Sequence, residues 1–140
     1  MEDLDYLVDT YLFKEDWHQS KLSADFARDY FRKLISINNV VVLREDDEPV
    51  GYLSVWFLDK DQLARLINGD DFYALDEDIT DGDFVFVSNA FIEHGKRNRG
   101  RINKLKNMMK ENHKDRDYVG IIYQDGYHKE LFSFYKKGEI

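Results

Sequence analysis

The sequence predicts one α/β domain over residues 1–140, built on a central mixed, mostly antiparallel sheet that contains one parallel β-α-β crossover. Three observations predict it. The run from 83 to 123 reads as strand, loop, helix and strand, a crossover unit that pairs its two strands in parallel. The stretch from 40 to 58 reads as a β-hairpin with a polar connection, which supplies antiparallel pairing. The chain is 43% hydrophobic, with ten Phe, nine Tyr and two Trp. That is enough to bury a core, and no repeat, low-complexity tract or Pro/Gly/Ser linker divides it.

The elements follow in the order α-α-β-β-α-β-α-β-α. Leu4, Leu7, Val8, Tyr11 and Leu12 recur at helical spacing. So do Phe26, Ala27, Tyr30, Phe31, Leu34 and Ile37, with Ser23 as N-cap and Asn38-Asn39 as a stop. Val40 to Arg44 forms the first hairpin strand, Glu45-Asp46-Asp47-Glu48 the turn, and Pro49 to Leu58 the second strand. Asp59 opens a short helix with Gln62 three residues on, and Gly69 closes it. From Asp83 to Glu93, Phe84, Phe86 and Ser88 alternate with Val85, Val87 and Asn89. After a loop from Gly95 to Gly100, Ile102, Leu105, Met108 and Met109 mark a helix to about His113. Tyr118 to Tyr123 is an apolar strand turned by Asp125-Gly126. A last helix carries His128, Leu131, Phe132 and Tyr135 on one face and ends at Gly138.

No apolar run approaches the ~20 residues a membrane span needs, and Met1-Glu2-Asp3 opens neither a secretory nor a transit signal. With no Cys there is no disulfide framework and no thiolate metal site, so a cytoplasmic setting is expected. The four His show no metal spacing, and no metal site is expected. No Gly-x-Ser-x-Gly elbow and no Walker loop occurs. The net charge of −8 is unevenly spread. Eight bases against one acid give Lys96–Lys114 a charge of +7, which leaves −15 on the rest. A basic island on an acidic body points to a local anionic partner and away from general nucleic-acid binding.

The loop Gly95-Lys96-Arg97-Asn98-Arg99-Gly100-Arg101 falls where ligands gather in such sheets, at the carboxyl end of a strand and the start of a helix. Its two glycines let backbone N–H groups approach a ligand closely. Three Arg and one Lys are locally unfavourable against the positive end of a helix dipole. An anion bound among them would offset that cost, and a phosphate or pyrophosphate suits the guanidinium geometry.

The strand, basic glycine-containing loop, helix, strand and closing Phe134-Tyr135-Lys136-Lys137-Gly138 together resemble the GNAT superfamily of acyltransferases. Within it, Pro49-Val50-Gly51-Tyr52-Leu53-Ser54-Val55-Trp56 and Thr80-Asp81-Gly82-Asp83 resemble the toxin-activating lysine acyltransferases that prepare RTX haemolysins. The likeness runs from about His18 to Ile140 and rests on spacing plus short matches. It implies a three-layer α/β/α fold and an acyl group delivered from acyl carrier protein to a lysine side chain of a protein acceptor. It implies a catalytic pair at His18 and Asn89, the latter an amide where that family has a carboxylate. It also implies that Gly95, Lys96, Arg97, Arg99, Gly100 and Arg101 hold the phosphopantetheine end. The donor is a co-substrate, acyl carrier protein thioester or acyl-CoA, with no tightly bound cofactor. A homodimer is left open.

The chemistry needs a base, because a lysine ammonium must lose a proton before it attacks a thioester. A histidine suits that task near neutral pH. Asn89 can orient a histidine through its amide oxygen but cannot offset the imidazolium charge. In serine triads the corresponding acid-to-amide change costs roughly 10⁴ in rate. Glu93 and His94, at the end of the same strand, are spare bases. Two other readings stay open: an acetyl-CoA-dependent GNAT acetyltransferase, and a catalytically inactive GNAT-fold protein kept for binding or inhibition.

Overall fold

Helix α1 (Glu2–Asp9) opens the computed structural model, which describes residues 2–14, 23–67, 78–96, 98–114, 117–121 and 134–135. It continues into a π-helical turn, Thr10–Lys14, and the expected apolar spacing is realised there: Leu4, Leu7, Val8 and Tyr11 are buried. Helix α2 (Ala24–Ser36) starts as predicted, with the Ser23 hydroxyl accepting from the Phe26 N–H. It stops at Asn38, whose φ of 59° is the left-handed conformation that Asn tolerates at a helix end. The Asn39 N–H then reaches back to the Leu34 carbonyl.

Strands β1 (Val40–Glu45) and β2 (Glu48–Leu58) form the hairpin, paired antiparallel from Val40↔Ser54 to Glu45↔Glu48. The turn spans Glu45-Asp46-Asp47-Glu48, as expected. Only Asp46 and Asp47 lie outside the strands, with φ of 53° and 64°, the pattern of a type I′ turn. A register shift after Leu43 sets Val50 out of the ladder, beside Pro49, which has no N–H to offer it. Helix α3 (Lys60–Ile67) begins with the predicted reciprocal cap: the Asp59 carboxylate accepts from the Gln62 N–H at 2.7 Å, and Gln62 Oε1 accepts from the Asp59 N–H at 2.8 Å.

Strand β3 (Phe84–Ile92), helix α4 (Arg99–Asn112) and strand β4 (Asp117–Ile121) form the crossover, with β3 and β4 parallel from Phe84↔Asp117 to Phe86↔Val119. A further strand, β5 (Phe134–Tyr135), pairs parallel with β4. This corrects the expectation of a last helix running through Tyr135 to Gly138: Phe134 and Tyr135 are extended and take their backbone bonds from β4. His128, Leu131, Phe132, Gly69 and Gly138 lie outside the described residues. Strand order in the sheet follows chain order, β1-β2-β3-β4-β5.

The chain divides into two compact units, Met1–Ser54 with Asn89–Asn112, and Val55–Ser88 with His113–Ile140. In the first, α1 packs on α2 and α4 on β1. Phe31 lies at its centre, fully buried and edge-on to Tyr11, Tyr30 and Tyr52. In the second, Trp56 stacks on Phe86 at 5.6 Å, and Phe57 takes the edge of His113 at 4.6 Å. His113 is thus an aromatic packing partner just past the end of α4.

Candidate functional site

The loop after β3 is built by three local devices. The Glu93 N–H donates to the Val50 carbonyl at 2.8 Å, which holds the end of β3 against β2. The Lys96 N–H then returns to the Glu93 carbonyl at 3.0 Å, closing a four-residue turn with Gly95 third and at φ 80°. A Cβ at Gly95 would meet nothing within 4 Å, so the demand for glycine is conformational and the space around it is open. Asn98 caps α4. Its Oδ1 accepts from the Arg101 N–H at 2.8 Å, and its carbonyl accepts from the Ile102 N–H at 3.2 Å. The N–H groups of Arg99 and Gly100, the first two of the helix, have no intrahelical acceptor.

The helix therefore starts earlier than the sequence suggested. Arg99 and Gly100 belong to its first turn and not to the loop, because Asn98 supplies a better cap than any glycine. No acid occupies that first turn. Lys96, Arg99 and Gly100 are exposed, so an anion at the helix start would meet two cationic side chains and two backbone donors. Arg97 lies outside the described residues.

Arg101 makes structural contacts that its place in the sequence does not announce. Its Nε and one terminal nitrogen bind both oxygens of Glu45 at 2.7 and 2.9 Å, and the other terminal nitrogen donates to the Lys96 carbonyl at 2.7 Å. The guanidinium fork ties the start of α4 to the hairpin tip and to the loop backbone. The hydrogen bond from Arg101, with the charges of Arg101, Lys104 and Lys96 behind it, holds the Glu45 carboxyl below the ordinary carboxylate range despite partial desolvation. A depressed folded-state pKa stabilises above the unfolded value and loses that stabilisation as pH falls through the folded one. Glu45→Gln is therefore expected to flatten the acid limb of the stability profile below about pH 4.3, the ordinary Glu value. Urea unfolding at pH 7, 4 and 3 checks this: wild type and variant converge as the pH falls, and parallel curves would rule the coupling out.

The remaining candidates are dispersed. Asn89 is buried on β3, 8% exposed, and it is engaged there. His18 lies outside the described residues, so its expected approach to Asn89 has no geometry here. Glu93 carries two partners from the distant N-terminal helix and π-turn. Its Oε1 accepts from Lys14 Nζ at 2.7 Å and from the Tyr6 hydroxyl at 3.2 Å. Lys14 also stands 5.3 Å from the centre of the Tyr6 ring. Nothing in the spacing of Tyr6 or Lys14 marks them, because their meeting with Glu93 is a long-range contact. His94 is exposed in the turn. Among the described residues no group of three or more His, Asp or Glu could hold a metal ion.

A crystal structure of a predicted acetyltransferase with acetyl-CoA from Clostridium acetobutylicum matches this chain with a TM-score of 0.57. The match covers 90% of this chain and 79% of that one at 16% identity. At that identity the likeness is one of fold, and the chain has a GNAT-like α/β fold. No family model matches the sequence, and no curated protein matches it.

Proposed function

We propose that this chain is a GNAT-fold acyltransferase whose donor is an acyl-CoA thioester, acetyl-CoA first among them. The observation that carries the proposal is the start of α4. There, an open left-handed turn at Gly95 leads to N–H groups at Arg99 and Gly100 that have no intrahelical acceptor, flanked by exposed Lys96 and Arg99. That arrangement suits the pyrophosphate of a CoA. The fold it sits in is shared with a structure that holds acetyl-CoA.

In this reading the amine of the acceptor loses a proton to His18, oriented by the Asn89 amide, and attacks the thioester carbonyl. The C–S bond breaks and the thiolate leaves, to be protonated by the imidazolium. The net-negative body, −15 outside Lys96–Lys114, favours a cationic acceptor such as an amine or a protein lysine. Acyl carrier protein as donor, as in the toxin-activating enzymes, is the narrower form of the same chemistry. The fold likeness favours the CoA form.

The test is calorimetric binding of CoA, followed by thiol release from acetyl-CoA or from acyl carrier protein thioester with lysine-containing protein as acceptor. The Lys96→Ala, Arg99→Ala double variant should bind CoA about 10–100-fold more weakly, the loss expected of one or two charge-assisted contacts. His18→Ala should bind normally and lose turnover. Wild-type protein that fails to bind CoA at millimolar concentration would sink the donor assignment. Binding without turnover on any amine would favour the inactive-binder reading, for which the amide at Asn89 already speaks.

A further inference from the structure

Arg28 and Arg32 each reach one carboxylate oxygen through a single nitrogen. Arg101 engages all three of its guanidinium nitrogens: Nε and Nη2 hold the two oxygens of Glu45, and Nη1 donates to the Lys96 carbonyl. The guanidinium is rigid and planar, so fixing Nε and Nη2 on Glu45 also fixes where Nη1 points. Only 26% and 28% of the two side chains are exposed, and water and salt screen such a pair less than a fully exposed one. Glu45 stands at the hairpin tip, on the parity of β1 that buries Val41 and Leu43. The hairpin therefore holds the loop before α4 at two points. One is the Val50 carbonyl, which accepts from the Glu93 N–H. The other is Glu45, which reaches the Lys96 carbonyl through Arg101.

We propose that Glu45 is a positioning residue for the anion site at the start of α4, acting through Arg101. The inference rests on the site proposed above and names the part of the fold that sets its geometry. The exposed Lys96 side chain and the N–H groups of Arg99 and Gly100 must meet one ligand together. Lys96 precedes the helix, so helical hydrogen bonds do not place it. Its N–H ties it to the Glu93 carbonyl at the end of β3, and its carbonyl is tied to the first turn of α4 by Arg101. Donors already held in place lose less freedom when a ligand arrives. The negative charge of Glu45 works in the opposite direction, by lowering the local positive potential. In the pair that charge faces a cation at 2.7 Å, so at longer range the two largely cancel and geometry is left as the larger effect.

The experiment titrates the full chain with inorganic pyrophosphate by calorimetry, at physiological salt, and with CoA in parallel. Glu45→Asp keeps the charge and shortens the reach by one methylene. It should weaken pyrophosphate binding about 3–10-fold, what the loss of one hydrogen bond amounts to. Glu45→Gln should weaken it less, since it also removes a negative charge. In an Arg101→Gln background Glu45→Asp should cost nothing further, because the two residues act as a unit. Amide exchange without ligand reads the loop directly: Glu45→Asp should speed exchange at the Lys96 N–H and leave the Ala27 N–H at the start of α2 unchanged. Equal affinity in wild type and Glu45→Asp, an additive loss in the double variant, or unchanged protection at Lys96 would each overturn the proposal. So would wild-type protein that binds no pyrophosphate. Binding of pyrophosphate without CoA would end the donor assignment and leave the role of Glu45 to be decided by the same variants.

Discussion

Phe31→Ala is expected to lower the free energy of unfolding by about 3–5 kcal/mol, the range for truncating a buried aromatic side chain. Phe31 is fully buried. Its ring meets Tyr30 at 5.2 Å, Tyr52 at 5.8 Å and Tyr11 at 6.1 Å, each edge-to-face. Truncation removes the ring's transfer free energy, leaves a cavity, and deletes three aromatic pairs, two of which join α2 to β2 and to the π-turn. Against a total stability of about 5–15 kcal/mol, that is a large fraction. Urea unfolding followed by far-UV circular dichroism checks it. Phe31→Leu, which keeps most of the apolar volume, should lose less than half as much. An alanine variant within 1 kcal/mol of wild type would mean that the three tyrosines close over the site.

Gly82→Ala is the second large effect, and its cause is steric. A Cβ at Gly82 would lie 1.9 Å from the Leu58 carbonyl carbon, 2.1 Å from its oxygen and 2.4 Å from the Asp59 nitrogen. These are backbone atoms, so no side-chain rotation relieves the clash. Nor can the chain move away freely: the Gly82 N–H donates to the Phe57 carbonyl at 3.3 Å, and Thr80 bridges Phe57. Asp59 is the cap of α3. The expected cost is at or above the upper end of the ~1–3 kcal/mol usual for overpacking. Trp56, stacked on Phe86 nearby in sequence, supplies the fluorescence signal. A midpoint unchanged in urea would show that the end of β2 yields more readily than its hydrogen bonds suggest.

Local signals in this chain were legible because their partners lie within a few residues. Ser23 before α2, the Asp59–Gln62 pair at α3 and the Asn38 stop each follow from short-range hydrogen bonding, and each is realised. The hairpin and the β3–α4–β4 crossover were equally readable, from alternation and helical spacing. Boundaries were less so. Asn98 is a modest cue beside two conspicuous glycines, yet it fixes where α4 begins. Phe134 and Tyr135 read as the end of a helix, but their backbone pairs with β4 instead.

The site divides in the same way. That a basic, glycine-bearing turn meets a helix start at the end of β3 is a property of sequence order, since the strand, turn and helix are contiguous. Which of its cations can face a ligand is not. Glu45 is 56 residues from Arg101 in sequence, and only folding brings the hairpin tip to that guanidinium. Likewise Tyr6 and Lys14 reach Glu93 across 87 and 79 residues and compensate a carboxylate that reads as a spare base. Residue type and spacing set the local backbone, because its hydrogen bonds close within a turn. The long-range partners of Glu45, Glu93 and Arg101 were decided by tertiary structure, because hydrogen-bond and ion-pair partners are chosen by distance in space.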